Sequence, residues 1–140
     1  MARLGPNEPC PCCSARKYKK CCRRPHLGQP PDTAEALMRA RYCAYTIGLA
    51  DFIIDTTHPD SPHTRPDRDA WRADIQQFCT TTTFERLDVT AAEQEPDTQE
   101  AFVTFTARLR QNDQPAPMTE RSRFLRHNGR WHYLAAATAP

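Results

Sequence analysis

The period of the apolar positions switches from 3.6 to 2 near residue 80. Before the switch, Leu37, Ala40, Ala44 and Ile47 form one stripe, and Met38, Tyr42, Tyr45 and Leu49 form another beside it. Two adjoining stripes make a wide apolar face, so the spacing predicts a well-buried helix over about 33–48. Asp32 and Glu35 form a capping-box pattern at its start, and Gly48 suits its C-terminal end. Asp51 can cap a short helix through Phe52, Ile53 and Ile54 that stops at His58-Pro59. Pro59, Pro62 and Pro66 mark a loop. Thr64 and Asp67 repeat the capping pattern, and Trp71, Ile75, Phe78 and Cys79 predict a helix over about 66–78.

After the switch, the β-branched run Thr80–Thr83 leads into a strand in which Leu87, Val89 and Ala91 alternate. Glu95-Pro-Asp97 turns the chain, and Ala101, Val103, Phe105, Ala107 and Leu109 alternate strictly, as in a long half-buried strand. Asn112-Asp-Gln-Pro115 turns it again. Met118–His127 and Arg130–Ala135 flank Asn128-Gly129, a strong hairpin signal. About three helices followed by an antiparallel meander of about four strands reads as an α+β domain, with the helices on one face of a curved sheet.

The first thirty residues follow neither period. Gly28-Gln-Pro-Pro31 reads as a linker, which divides the chain into a small module at 1–27, a connection at 28–31 and a body at 32–140 that carries its own core. Five of the seven cysteines lie between Cys10 and Cys22. Cys10, Cys12, Cys21 and Cys22 are spaced C-x-C-x8-C-C, and four thiolates so spaced can close a tetrahedron around one Zn²⁺. A segment this short has almost no core of its own, so ligation would have to hold it together. Another metal that accepts soft ligands, iron among them, is the second reading of the cluster, and disulfides are the third. Residues 1–9 lack the apolar run of a signal peptide, the cysteine count is odd, and neighbours such as Cys21 and Cys22 strain to pair, all of which weigh against disulfides.

Net charge is +2, but residues 1–30 hold seven basic residues against Glu8 alone, a local +6 that leaves −4 for the remainder. Arg16, Lys17, Lys19 and Lys20, with Tyr18 among them, lie between the cysteine pairs. A basic end on a mildly acidic body fits an acidic protein partner. It also fits nucleic acid, with Tyr18 stacking one base. The opposing reading is that the cations offset thiolate charge. No apolar stretch approaches membrane-spanning length, so the chain is expected to be cytoplasmic and not inserted in a membrane.

The cysteine segment resembles the SEC-C motif, the zinc module of the SecA tail, in a pattern close to C-x-C-G-S-G-x-x-Y-K-x-C-[CH]. Cys10, Cys12, Ser14, Lys17, Tyr18, Lys19, Lys20, Cys21 and Cys22 fall in step with it. Cys13 and Ala15 stand at its two glycine positions, where glycine commonly serves a positive φ or a close approach, so the knuckle is expected to be strained or rearranged there. Cys13 is expected to be a spare thiol. The resemblance implies protein docking, as the SecA tail reaches the chaperone SecB through its knuckle. The helix-then-meander order resembles the nuclear-transport-factor-2-like cone. Together with Leu37–Tyr45, Thr57-His-Pro59, Glu120–Phe124 and Gly129–Tyr133, the pairing of knuckle and cone resembles the YchJ-type bacterial family, which implies no established activity.

A two-residue hairpin at Asn128-Gly129 places Phe124 opposite Tyr133 and Arg126 opposite Trp131, on a face shared with Glu120 and Ser122. Cones of the resembling kind hold small molecules beside an acid or histidine, which makes Glu120, His58, Tyr42 and Tyr45 the candidates for a pocket. Against this, Glu120 can simply pair with Arg39, Arg41 or Arg126, Tyr42 and Tyr45 can be core residues, and His58 can cap a helix. Cys43 and Cys79 read as small core hydrophobes, and His63, His127 and His132 as surface residues. No catalytic residue is assigned. The reading that follows is a zinc-dependent interaction module whose basic loop docks an acidic partner, ahead of a small-molecule pocket or RNA binding.

Overall fold

The computed structural model describes residues 4–137. A 3₁₀ turn (Tyr18–Lys20) and a short α1 (Arg23–His26) belong to the N-terminal module. The body contributes α2 (Ala34–Ile47), α3 (Ala50–Asp55) and α4 (Arg68–Thr81), then β1 (Thr82–Glu93), β2 (Glu100–Gln111), β3 (Gln114–Pro115), β4 (Met118–His127) and β5 (Arg130–Ala136). The sheet runs β1-β2-β4-β5, every pair antiparallel, with the two-residue β3 folded back on β2. This is the expected α+β cone, with one more body strand than the pattern showed.

The two stripes of α2 are explained by three partners. Leu37, Met38 and Tyr42 pack on the sheet with Val103, Phe105, Phe124 and Trp131. Ala44 packs with Ile53, Ile54, Ile75 and Cys79 of α3 and α4. Ala40 and Cys43 pack on the cysteine module. A helix buried on three sides must be apolar nearly all round, and even Arg41 is only 8% exposed. The cysteine module lies against α2.

Local signals landed close to their expected places. Thr33, one residue after Asp32, caps α2 by accepting from the Ala36 amide, while Glu35 pairs with Arg39. Asp67, not Thr64, caps α4 by accepting from Ala70, so this helix is shifted two to three residues toward the C-terminus. Gly48 closes α2 at φ 75°. Asn128 and Gly129 have φ of 53° and 77°, the two left-handed residues of a type I′ turn. The alternation of β2 is exact in burial, with Ala101, Val103, Phe105, Ala107 and Leu109 all inside. In β1, register shifts at Phe84/Arg86 and Val89/Ala91 break the alternation, and Ala91 faces out.

Candidate metal centre and cone cavity

Cys10 and Cys12 lie on a tight loop, and Cys21 and Cys22 lie where the 3₁₀ turn meets α1. The two arms are zipped by Cys10 N–H to Arg16 O (2.9 Å) and Tyr18 N–H to Glu8 O (2.9 Å). The loop closes only because Cys13 and Ala15 take φ of 66° and 69°, at the two positions where the motif has glycine. The Sγ atoms of Cys10, Cys12, Cys21 and Cys22 all lie within 4.8 Å of one another. Cys12 and Cys21 are 3.5 Å apart, and Cys21 and Cys22 are 3.9 Å apart. Four sulfurs bound tetrahedrally to zinc would sit about 3.8 Å apart, so the donor set fits such an ion.

The crowding also shifts the thiols themselves. Hydrogen bonds, first from Cys12 and then from Cys22 and Cys43, hold the Cys10 thiol well below its ordinary range. Sharing with Cys10 pushes Cys12 up to about 11 and drives Cys22 and Cys43 further up. Thiols this crowded keep most of their protons unless a cation supplies the balancing charge. Ser14 supports the set from outside: its hydroxyl lies 3.1 Å from Cys21 Sγ and accepts from the Arg16 amide. Cys13 is exposed and outside the cluster, and its sulfur accepts from the Leu87 amide at 3.5 Å.

The module is fastened to α2 by buried polar bonds. Tyr18 O–H donates to His26 Nδ1 (2.7 Å), and His26 Nε2–H donates to the Ala40 carbonyl (2.8 Å). Arg39 donates to the Cys12 carbonyl (2.7 Å). The His26 ring meets Phe52 edge-on at 4.8 Å. Burial holds His26 below its ordinary pKa. Tyr18, expected on the basic loop as a stacking platform, is instead buried and bonded inward, and its ring is closed to a partner. Arg16, Lys17, Lys19 and Lys20 are exposed, as are Arg23 and Arg24 on α1.

The second candidate site forms on the sheet. Register places Phe124 opposite Tyr133 and Arg126 opposite Trp131, as the hairpin required. A cavity of about 610 Å³ lies between the sheet and α2 and α4, and Glu120, Tyr42 and Tyr45 all line it. Glu120 Oε2 accepts from Tyr133 O–H (2.9 Å) and from Ser122 O–H. None of Arg39, Arg41 and Arg126 pairs with Glu120. Arg39 is on Glu35, Arg126 lies over the Trp131 ring, and Arg41 donates to Ile53 O, Thr56 Oγ1 and Thr57 Oγ1. His58 does not join this site. Its Nδ1 accepts from the Asp60 amide outside the cavity, and its ring packs against those of His127 and His132. His127 and His132 meet across the Asn128-Gly129 hairpin, and His58 joins them through the Thr57–Tyr133 bridge, a long-range contact that no local signal records. Both His127 and His132 are half-buried rather than on the open surface.

Comparison with known proteins gives the same two parts. Residues 7–24 match the SEC-C motif, and residues 33–136 match the model described as the YchJ middle NTF2-like domain. A UPF0225 protein of Bordetella pertussis is 38% identical over 138 residues, covering 94% of this chain and 96% of that one. A UPF0225 protein of Pectobacterium carotovorum is 37% identical over 133 residues, covering 91% and 82%. Among solved structures, a SEC-C motif containing protein from Rhodopseudomonas palustris superposes with a TM-score of 0.80 at 27% identity, over 95% of this chain and all of that one. One from Psychrobacter arcticus, at 24% identity and a TM-score of 0.77 over 96% of this chain and 86% of that one, shares the fold. No described helix is long and apolar enough to cross a membrane.

Proposed function

This chain belongs to the UPF0225 family, a SEC-C motif joined to a YchJ-type NTF2-like domain, and we propose that within this architecture it is a zinc-dependent interaction protein whose knuckle presents a basic surface to an acidic protein partner. Cys10, Cys12, Cys21 and Cys22 would hold one Zn²⁺, which supplies structural cross-linking and no chemistry. One observation carries the docking half of the reading. Among the described residues, Arg16, Lys17, Lys19, Lys20, Arg23 and Arg24 form no ion pair, whereas Arg68, Arg72, Arg108 and Arg121 of the body each sit on a carboxylate. Six exposed cations with no carboxylate partner, against the −2 that Zn²⁺ on four thiolates would leave, give the segment a basic surface suited to steering an acidic partner. Burial of Tyr18 removes the aromatic platform on which single-stranded nucleic acid would stack, which favours protein over RNA. The chain would act in the cytoplasm and perform no catalysis.

The test is the combined change of Lys17, Lys19 and Lys20 to Ser. Zinc content and melting temperature should stay within error of the parent. Recovery of partners from lysate should be lost, and RNase treatment should leave the parent's partners in place. Retention of the same partners by the triple variant would refute the docking reading, and their loss on RNase treatment would move it to RNA.

A further inference from the structure

Arg41 and Glu120 line the same cavity without pairing. Arg41 Nη1 donates to Ile53 O (3.0 Å), Thr56 Oγ1 (2.8 Å) and Thr57 Oγ1 (3.2 Å), and its guanidinium lies 4.8 Å from the centroid of the Tyr133 ring, beside Tyr45. Arg41 lines the cavity with one of its three guanidinium nitrogens in those bonds, which leaves further N–H donors for a guest. Glu120 uses Oε2 for both Ser122 and Tyr133 and leaves Oε1 as an open acceptor. At the rim, Arg65 and Asp74 pair with each other and contribute no net charge. The remaining wall is largely aromatic and aliphatic, with Tyr42, Phe78, Phe84, Phe105 and Leu109.

A cavity of about 610 Å³ is of the size that takes a drug-sized ligand. Its two charges cancel but stand apart. A charged guest would give up part of its water to a largely apolar cleft that offers no net opposite charge. An uncharged guest carrying one acceptor and one donor can satisfy Arg41 and Glu120 together. We infer that the cone binds an overall uncharged, ring-bearing small molecule, its acceptor on Arg41 and its donor on Glu120. The inference is independent of the metal module and of its docking role.

The lactam phenanthridin-6(5H)-one, a neutral ring system with one N–H and one C=O, is the probe, and phenanthrene-9-carboxylate is its charged counterpart. Both fluoresce, and titration of the zinc-loaded chain reads their affinity. The lactam should bind at least tenfold more tightly than the carboxylate. Glu120→Gln leaves the Arg41 charge unbalanced, so it should raise carboxylate affinity at least tenfold and change lactam affinity less than about threefold. Ala107→Phe fills the cavity, and Met118→Trp blocks its rim from a position 43% exposed, where folding is easily preserved. Both should abolish lactam binding. Equal affinity for the two probes, no binding of either up to its solubility limit, an unchanged preference in Glu120→Gln, or lactam binding that survives Met118→Trp would each overturn the inference.

Discussion

The sulfur of Cys43, in the middle of α2, lies 4.0 Å from the sulfur of Cys10 in the knuckle, and both are buried. A fifth thiol thus stands behind the four-cysteine cluster. It belongs to the body rather than the module; with both thiols protonated Cys10 S–H donates to the Cys43 sulfur, and once Cys10 is ionised on a metal only Cys43 has a proton left to give.

This contact predicts that the body tunes the metal site. Partners outside the ligand set typically change metal affinity by 10–100-fold when removed, and a thiol is a weak donor, so the lower figure applies. Cys43→Ala should release zinc to a chelator about tenfold faster than the parent. Cys43→Ser, which keeps a donor, should lie between the two. Equal release rates in all three proteins would show that the contact is only packing.

The backbone at Ala15 gives a second prediction. Its φ of 69° costs a residue with a β-carbon roughly 1 kcal/mol that glycine does not incur. Ala15→Gly should therefore stabilise the knuckle by somewhat less than that, because glycine is also freer when unfolded. Cys13→Gly, at φ 66°, should likewise keep the metal while losing the contact with the Leu87 amide. The comparison is one of chelator midpoints, and loss of metal in Cys13→Gly would mean that the ligand set has been misassigned.

His26 sets a pH dependence. Burial, the largest influence on it, lowers its folded pKa below the ordinary 6.5. The unfolded chain therefore takes up this proton first. The associated stability is present above about pH 6.5 and is lost as pH falls from there toward the folded value. His132 is lowered first by burial as well and adds to the slope. Urea midpoints should fall between pH 7.5 and 5.5 in the parent, and His26→Gln should flatten part of that fall. An unaltered slope would mean that His26 titrates as freely folded as unfolded.

Much of this architecture is legible in the sequence where the signal is local. Asn128-Gly129 fixes its hairpin, and through it the pairing of Phe124 with Tyr133, because both residues tolerate positive φ. Ala101 to Leu109 announces a strand with one buried face, and the four metal-suited cysteines lie within thirteen residues. Other features depend on what docks where. Cys43 reads as an ordinary core residue because its neighbour is 33 residues away. Tyr18 reads as part of a basic surface because its bond to His26 exists only once α1 has folded back. Asp32 and Thr33 are both competent caps, and only the path of the linker selects Thr33. The bulges of β1 depend on how β2 pairs with it, which the spacing of Leu87, Val89 and Ala91 does not record.

The central claim is that one metal ion on Cys10, Cys12, Cys21 and Cys22 holds the knuckle in shape against α2. Native mass spectrometry of protein purified without chelator, supported by elemental analysis, tests it most directly. One Zn²⁺ per chain is predicted in the parent, in Cys13→Gly and in Cys79→Ser, with loss of the ion in Cys21→Ser. Less than about half an equivalent of any metal in the parent, or full retention in Cys21→Ser, would contradict the account.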